Sequence, residues 1–262
     1  MRRTGIFSPR KPTVGLPGPI WPPTNLPGLG AWYDMLEVFG ESAGAMTSIR
    51  NMVTGSDLMA QGNATNQPAY EATGLNGLPC FKADGAGDHM LSTEASVMAL
   101  LGNTTAPVTF AYVIDLVTPN RSSAVFGAGN SGVANASFWS VGTSTPNGGQ
   151  HILNVEGDVT GISPFARSNT AFAGPQAVVW TSTAGEVTVY VNGKAVGMTS
   201  RSIALSEVIT LNRFGLCTRP DSAPDTFFDG RFGCLLLYGR GLPRAEALGL
   251  SFGMMGRWRI PT

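Results

Sequence analysis

The chain has 262 residues, and its 17 Lys and Arg balance 17 Asp and Glu, leaving it formally neutral at pH 7. That balance gives no broad electrostatic reason to bind nucleic acid or an anionic membrane, and it points to neutral partners such as sugar or protein. With 43% hydrophobic residues, 34 glycines and only 13% charged residues, the composition excludes general disorder and reads as a globular β protein that turns often.

In chain order, residues 1–28 carry Pro9, Pro12, Pro17, Pro19, Pro22, Pro23 and Pro27, with Trp21 among them. Repeated prolines fix φ and withhold backbone donors, so this segment is expected to be an extended arm. A neighbouring subunit is the simplest thing to hold it, which implies a homo-oligomer or assembly; the alternative is that the arm folds back on its own domain. The basic N-terminus has no apolar run behind it and no stretch is long enough to span a bilayer, so neither standard secretion nor membrane insertion is expected.

Residues 29–262 are expected to form one domain. Residues 29–34 suit a first strand, and residues 35–66 suit short strands and long loops. A turn-rich stretch then passes through Gln67-Pro-Ala-Tyr70, Asn76-Gly-Leu-Pro79 and Asp84-Gly-Ala-Gly-Asp88. A capping serine and a closing glycine mark a short helix near 92–102. Apolar runs at 107–115, 124–127, 136–141, 151–155 and 176–180 read as strands. Val187, Val189 and Val191 share a face, and Asn192-Gly193 predicts a two-residue hairpin turn. An apolar strand at 227–238 precedes a proline-started helix at 243–256, where Ala245, Leu248, Phe252 and Met255 make one stripe. The fold class is therefore all-β: an antiparallel β-sandwich, or jelly roll, with two short helices and an N-terminal arm.

The residues offer little recognisable chemistry. His89 and His151 are the only histidines and lack a nucleophile arrangement; phosphate, dinucleotide and zinc signatures are absent. Cys80, Cys217 and Cys234 read as buried thiols, with a Cys217–Cys234 bridge as the alternative in an oxidising compartment. The nearest approach to a carboxylate pair is Glu156-Gly-Asp158, which lacks a third acid.

The succession of a tryptophan strand, the QPxY element, the NGxP turn and the DGxxD loop, joined to the hairpin and the late strand-plus-helix, resembles the laminin G-like branch of the concanavalin A-like lectin/glucanase superfamily. The resemblance covers roughly residues 29–258. Single domains of this kind with short tails are similar to bacteriophage structural proteins. It therefore implies a non-enzymatic virion component (head decoration, spike or tail fibre) at the virion surface, made in the host cytoplasm and attached by its arm to neighbouring virion proteins. The alternatives are a free carbohydrate-binding lectin and, with the carboxylates missing, a glycoside hydrolase. No cofactor is expected apart from calcium, which such sandwiches often hold; the available acids are Asp84, Asp88, Asp225 and Asp229, whose other reading is turn stabilisation. A glycan-binding surface of the kind the resemblance implies would draw on Trp139, Tyr190 and Asn192, unless these aromatics pack in the core.

Overall fold

A computed structural model describes residues 17–262 apart from positions 38, 56–57, 103–105, 119–122, 133–137, 145–149, 157–164, 172–173, 184–185, 202–209 and 221–225. The strands are β1 (Leu29–Asp34), β2 (Phe39–Ser42), β3 (Ala45–Arg50), β4 (Leu58–Ala60), β5 (Ala69–Leu75), β6 (Leu78–Asp84), β7 (Met90–Ser92), β8 (Thr109–Leu116) and β9 (Ser123–Gly129). They continue with β10 (Phe138–Ser144), β11 (Gln150–Glu156), β12 (Phe165–Ala171), β13 (Gly174–Thr183), β14 (Glu186–Val191), β15 (Lys194–Val196), β16 (Met198–Arg201), β17 (Arg213–Leu216) and β18 (Asp229–Tyr238). The helices are α1 (Ala95–Leu101) and α2 (Arg244–Arg257).

β18 is the spine of a first sheet. One of its edges pairs with β8, and the other is shared by β6, opposite residues 229–232, and β1, opposite residues 234–238. Beyond β8 the sheet continues through β13 and β14 to β15, and β5 is hydrogen-bonded to the far side of β6. The second sheet runs β7, β17, β9, β10, β11, β12, β16. All these pairs are antiparallel, the arrangement that allows short turns between neighbours. The β2-β3-β4 meander closes one end, tied by the bridges Ala45↔Ala69 and Ala60↔Leu91 to the two sheets.

Aromatic side chains stitch the sheets together. The Phe110 and Phe126 rings lie 5.8 Å apart between centroids, and Phe214 meets both Phe126, at 6.0 Å, and Tyr33, at 5.8 Å. All four are buried, so the core lies between the sheets and the expected sandwich is what the chain forms.

Local chemistry explains the elements. Val187, Val189 and Val191 are all buried, while Thr188 between them is half-buried. At the turn Asn192 and Gly193 have φ of 48° and 71°, the left-handed pair that a two-residue hairpin requires. α1 lies inside the expected stretch but starts later than Ser92, which ends β7; its cap residue is Glu94, whose N–H donates to Ser92 Oγ.

α2 differs from its expected single stripe. Leu248 and Met255 are buried and Phe252 is half-buried, but Ala245 is exposed, and Ala247, Gly249, Leu250, Ser251, Gly253 and Met254 are buried as well. The helix is covered on two sides. One lies on β13 and β14, where Ser251 Oγ accepts from Gly193 N–H at 2.9 Å; the other carries residues 17–21, with Ile20 N–H bonded to the Gly249 carbonyl at 2.8 Å.

That contact also bears on the expected arm. Its described part does not extend away from the domain. The Pro23 carbonyl accepts from the buried Tyr238 hydroxyl, the Pro27 carbonyl from Arg240, and the Gly28 carbonyl from Gly239 N–H. Pro17, Pro19, Trp21, Pro22 and Pro23 thus belong to a segment folded on its own domain. Pro9 and Pro12 lie outside the described residues.

The three cysteines are free and buried, with no Cys217–Cys234 bridge. Burial raises the Cys80 thiol to about 12, and it pushes Cys217 and Cys234 well above the usual thiol range.

Candidate functional site

The residues picked from sequence do not converge. Tyr190, in β14, is buried, and burial raises its phenol above the usual range; its ring offers no open face for stacking. Asn192 is committed to its turn, where its Oδ1 accepts from Ala177 N–H at 2.8 Å and its amide donates to the Pro175 carbonyl. Trp139 lies in β10, but its side chain is outside the described set, as are Asp158 and the side chain of Glu156.

Of the four aspartates, Asp225 lies outside the described residues. Asp84 accepts through Oδ1 from the N–H groups of Ala86, Gly87 and Asp88, and Asp88 Oδ2 accepts from Asp84 N–H. Burial pushes the Asp84 carboxyl up, but those N–H groups outweigh it and hold the carboxyl below the usual range. Burial, with Asp84 nearby, raises Asp88 to about 6. Asp229 faces Asp84 across the β6–β18 pair and accepts from the Thr118 hydroxyl. This is turn chemistry, and no group of three or more His, Cys, Asp or Glu is assembled among the described residues.

Both histidines are absorbed in packing. His89 meets Gln61 at 3.1 Å and the Gly87 carbonyl at 2.7 Å, and its ring lies near Phe227. His151 is fully buried between the sheets, with Nε2 2.6 Å from Gln176 Oε1 and Nδ1 3.4 Å from the Tyr112 hydroxyl, which in turn accepts from Trp180 Nε1.

The feature that sequence reasoning missed is a groove of about 510 Å³ lined by Pro19, Trp21, Leu36, Phe252, Gly253, Gly256 and Arg257. Three segments distant in sequence build it: the end of the arm, the turn after β1, and the last turns of α2. Trp21 stands edge-on to Trp32 with centroids 5.9 Å apart, and the Arg257 guanidinium lies 4.9 Å from the Trp21 ring centroid. Such a cation over an indole face holds the ring in place. Arg257 is itself fixed: Nε donates to Asp34 Oδ2 at 3.0 Å and Nη2 donates to Glu37 Oε1.

Asp34 ends β1 and is fully buried. It also accepts from Trp32 Nε1 at 3.2 Å and from Leu36 N–H at 2.8 Å, which shapes the turn that carries Leu36 into the groove and Glu37 against Arg257. Burial raises its carboxyl despite these donors and the opposing Arg257 charge. The result is a partly apolar trough with half-buried aromatic rings and one neutralised cation at its rim. It can hold a ligand with flat C–H faces and hydroxyl groups. A lone tryptophan between prolines signalled extended chain in the sequence, and nothing in the sequence placed it beside an arginine 236 positions later.

No protein-family model matches the chain, and no curated protein matches it either. Solved structures do. A Trypanosoma rangeli sialidase in complex with sialic acid superposes with a TM-score of 0.57 at 17% identity, covering 92% of this chain and 36% of that one. The leech intramolecular trans-sialidase gives 0.50 at 13% identity, covering 61% and 25%. The CBM40 of a Ruminococcus gnavus IT-sialidase, bound to α2,3-sialyllactose, gives 0.50 at 10% identity, covering 61% of this chain and 89% of that module. The chain spans about a third of the length of the Trypanosoma sialidases it matches.

At these identities the likeness shows a shared jelly-roll-like all-β fold. It also corrects two expectations. The neighbours are sialidases and a sialic-acid-binding module, which overturns the reading of the chain as a virion structural component. The statement that the chain is no enzyme falls with it. That exclusion rested on the missing glucanase carboxylates and on the absence of nucleophile, phosphate, dinucleotide and zinc signatures, whereas the fold occurs in sialidases, which those patterns did not represent.

Proposed function

We propose that the chain is a carbohydrate-binding β-sandwich, a laminin G-like member of the concanavalin A-like superfamily, and that the groove beside Trp21 and Arg257 receives the saccharide. The observation that carries this reading is the likeness to the CBM40 module, nearly all of which is matched by this chain. The groove adds what a sugar needs: ring faces for the C–H surfaces and polar groups at the edge.

The test is a glycan panel, including α2,3-sialyllactose and neutral oligosaccharides, titrated into the full chain while tryptophan fluorescence and side-chain NMR signals are followed. Saturable shifts that Trp21→Ala strongly weakens are the expected result; losing a stacking ring costs a sugar roughly 1–2 kcal/mol, about five- to thirtyfold in affinity. Saturable binding untouched by Trp21→Ala would move the site elsewhere on the sandwich. A second reading, glycoside hydrolysis, is favoured by the sialidase neighbours, and release of a fluorogenic aglycone from a sialoside by the purified chain is its direct assay.

A further inference from the structure

Two aromatic rings line the groove, and each is held from behind. The Trp21 ring is set by Trp32 and by the Arg257 guanidinium. The Phe252 ring rests against Gly193 in the β14–β15 turn, where a single added Cβ would collide with it. Both rings are half-buried and face the same groove, so neither has to be newly ordered when a ligand arrives.

The same groove is lined by Gly256, one helical turn after Phe252 on the same face of α2. Nothing in the packing of the described residues asks for glycine at this position. Its backbone is helical with no positive φ, and a Cβ built on it meets no atom of the described residues within 4 Å. The position is exposed, and alanine would be the better helix former. What a side chain would take up there is groove space, and bare helix backbone is a surface that a ligand can approach closely. The groove holds about 510 Å³, well above the volume of one pyranose ring. We infer that it takes a run of two or more linked sugar units lengthwise, one against Trp21 and another against Phe252, with Gly256 as the bare contact that admits them. The inference rests on the carbohydrate-binding reading above and narrows its ligand from a sugar to an oligosaccharide, with Gly256 as the specificity-determining position.

The experiment measures, by calorimetry, the affinity of the full chain for glycans and their own shorter pieces: 3′-sialyllactose with lactose and N-acetylneuraminic acid, cellotetraose with cellobiose and glucose, and xylotetraose with xylobiose and xylose. In a series that binds, the longest member should bind about fivefold or more tightly than the monosaccharide, the contribution of a second stacked ring. Gly256→Leu, which fills the floor, should remove that gain, while its thermal unfolding midpoint stays at or above the parent's because leucine favours helix. Should Gly256→Leu lower the midpoint, Gly256→Ala decides by the same comparison, with a smaller loss of affinity. A monosaccharide bound as tightly as the longest member, and still weakened by Trp21→Ala, overturns the inference and leaves carbohydrate binding in place. Length-dependent binding that filling Gly256 does not weaken overturns it as well. Absence of saturable binding in every series overturns both readings together.

Discussion

The molecule holds two knots of polar side chains, and they are built on opposite terms. Between the sheets, Trp180, Tyr112, His151 and Gln176 form a chain of uncharged groups, all buried. At the rim, Asp34, Arg257 and Glu37 form a charged cluster that is buried at Asp34 and opens progressively toward Glu37. The interior knot joins the sheets without charge, although Gln176 Nε2 has no partner among the described residues, and it serves to fix how the sheets face each other. The rim knot keeps ions because one side stays wet, and only there can a ligand meet polar groups without unfolding the sandwich.

The largest expected effect breaks the rim. Arg257→Met keeps most of the stem but removes the one cation paired with Asp34 among the described residues, leaving a buried carboxylate uncompensated. Denaturant unfolding at neutral pH should show a loss of about 3 kcal/mol, at the lower end for a broken buried pair because Arg257 is partly exposed. The loss should shrink in acid, where Asp34 takes up a proton and the missing cation matters less. A loss that does not change with pH would mean that stem packing, and not charge, is what Arg257 supplies.

The interior should respond to acid in the opposite direction. Burial lowers the His151 pKa to about 4 from 6.5, the Gln176 contact opposing it, so the unfolded chain binds this proton more readily than the folded one. Stability is therefore lost as pH falls below about 6.5 and continues to fall to about 4, by up to roughly 3 kcal/mol at 1.4 kcal/mol per pH unit. Asp88 acts against this: its carboxyl is raised to about 6, so folding gains stability as pH falls from there toward 3.8. Thermal melts of Asp88→Asn between pH 7 and 4.5 should show a steeper acid loss than the parent, and melts of His151→Gln a shallower one. Parallel slopes in all three proteins would place the acid response elsewhere.

Much of the fold was legible because its signals are local. Asn192-Gly193 needed only two left-handed residues, and the valine alternation before it needed only one buried face. α2 was legible in place but not in burial: a helix covered on both sides shows no single stripe, and its second cover comes from residues more than two hundred positions earlier. The candidate groove was hidden for the same reason. Trp21, Leu36 and Arg257 are ordinary residues in sequence, and only the return of residues 17–21 onto α2 gives them a shared surface. Tyr190 shows the converse, since alternation put it in a strand but could not say that its outer face would lie under cover.

That return can itself be tested, with a smaller effect than either knot. Gly249 and Gly253 make a shallow notch on α2 into which the Ile20 side chain and backbone settle, and a methyl group on Gly253 would run into the Ile20 carbonyl. Helix propensity alone favours Gly253→Ala by up to about 1 kcal/mol. The clash acts the other way, because a backbone carbonyl cannot rotate aside as a side chain would, so the strap of residues 17–21 must lift to admit the methyl. The net change in global stability should thus stay within about 1 kcal/mol. The local change should be much clearer: faster hydrogen exchange at the Ile20 amide and a red-shifted, more quenchable Trp21. If Trp21 and the Ile20 amide are unchanged while stability rises, the strap is not seated by the glycine notch, and the groove owes its shape to the Arg257 contacts alone.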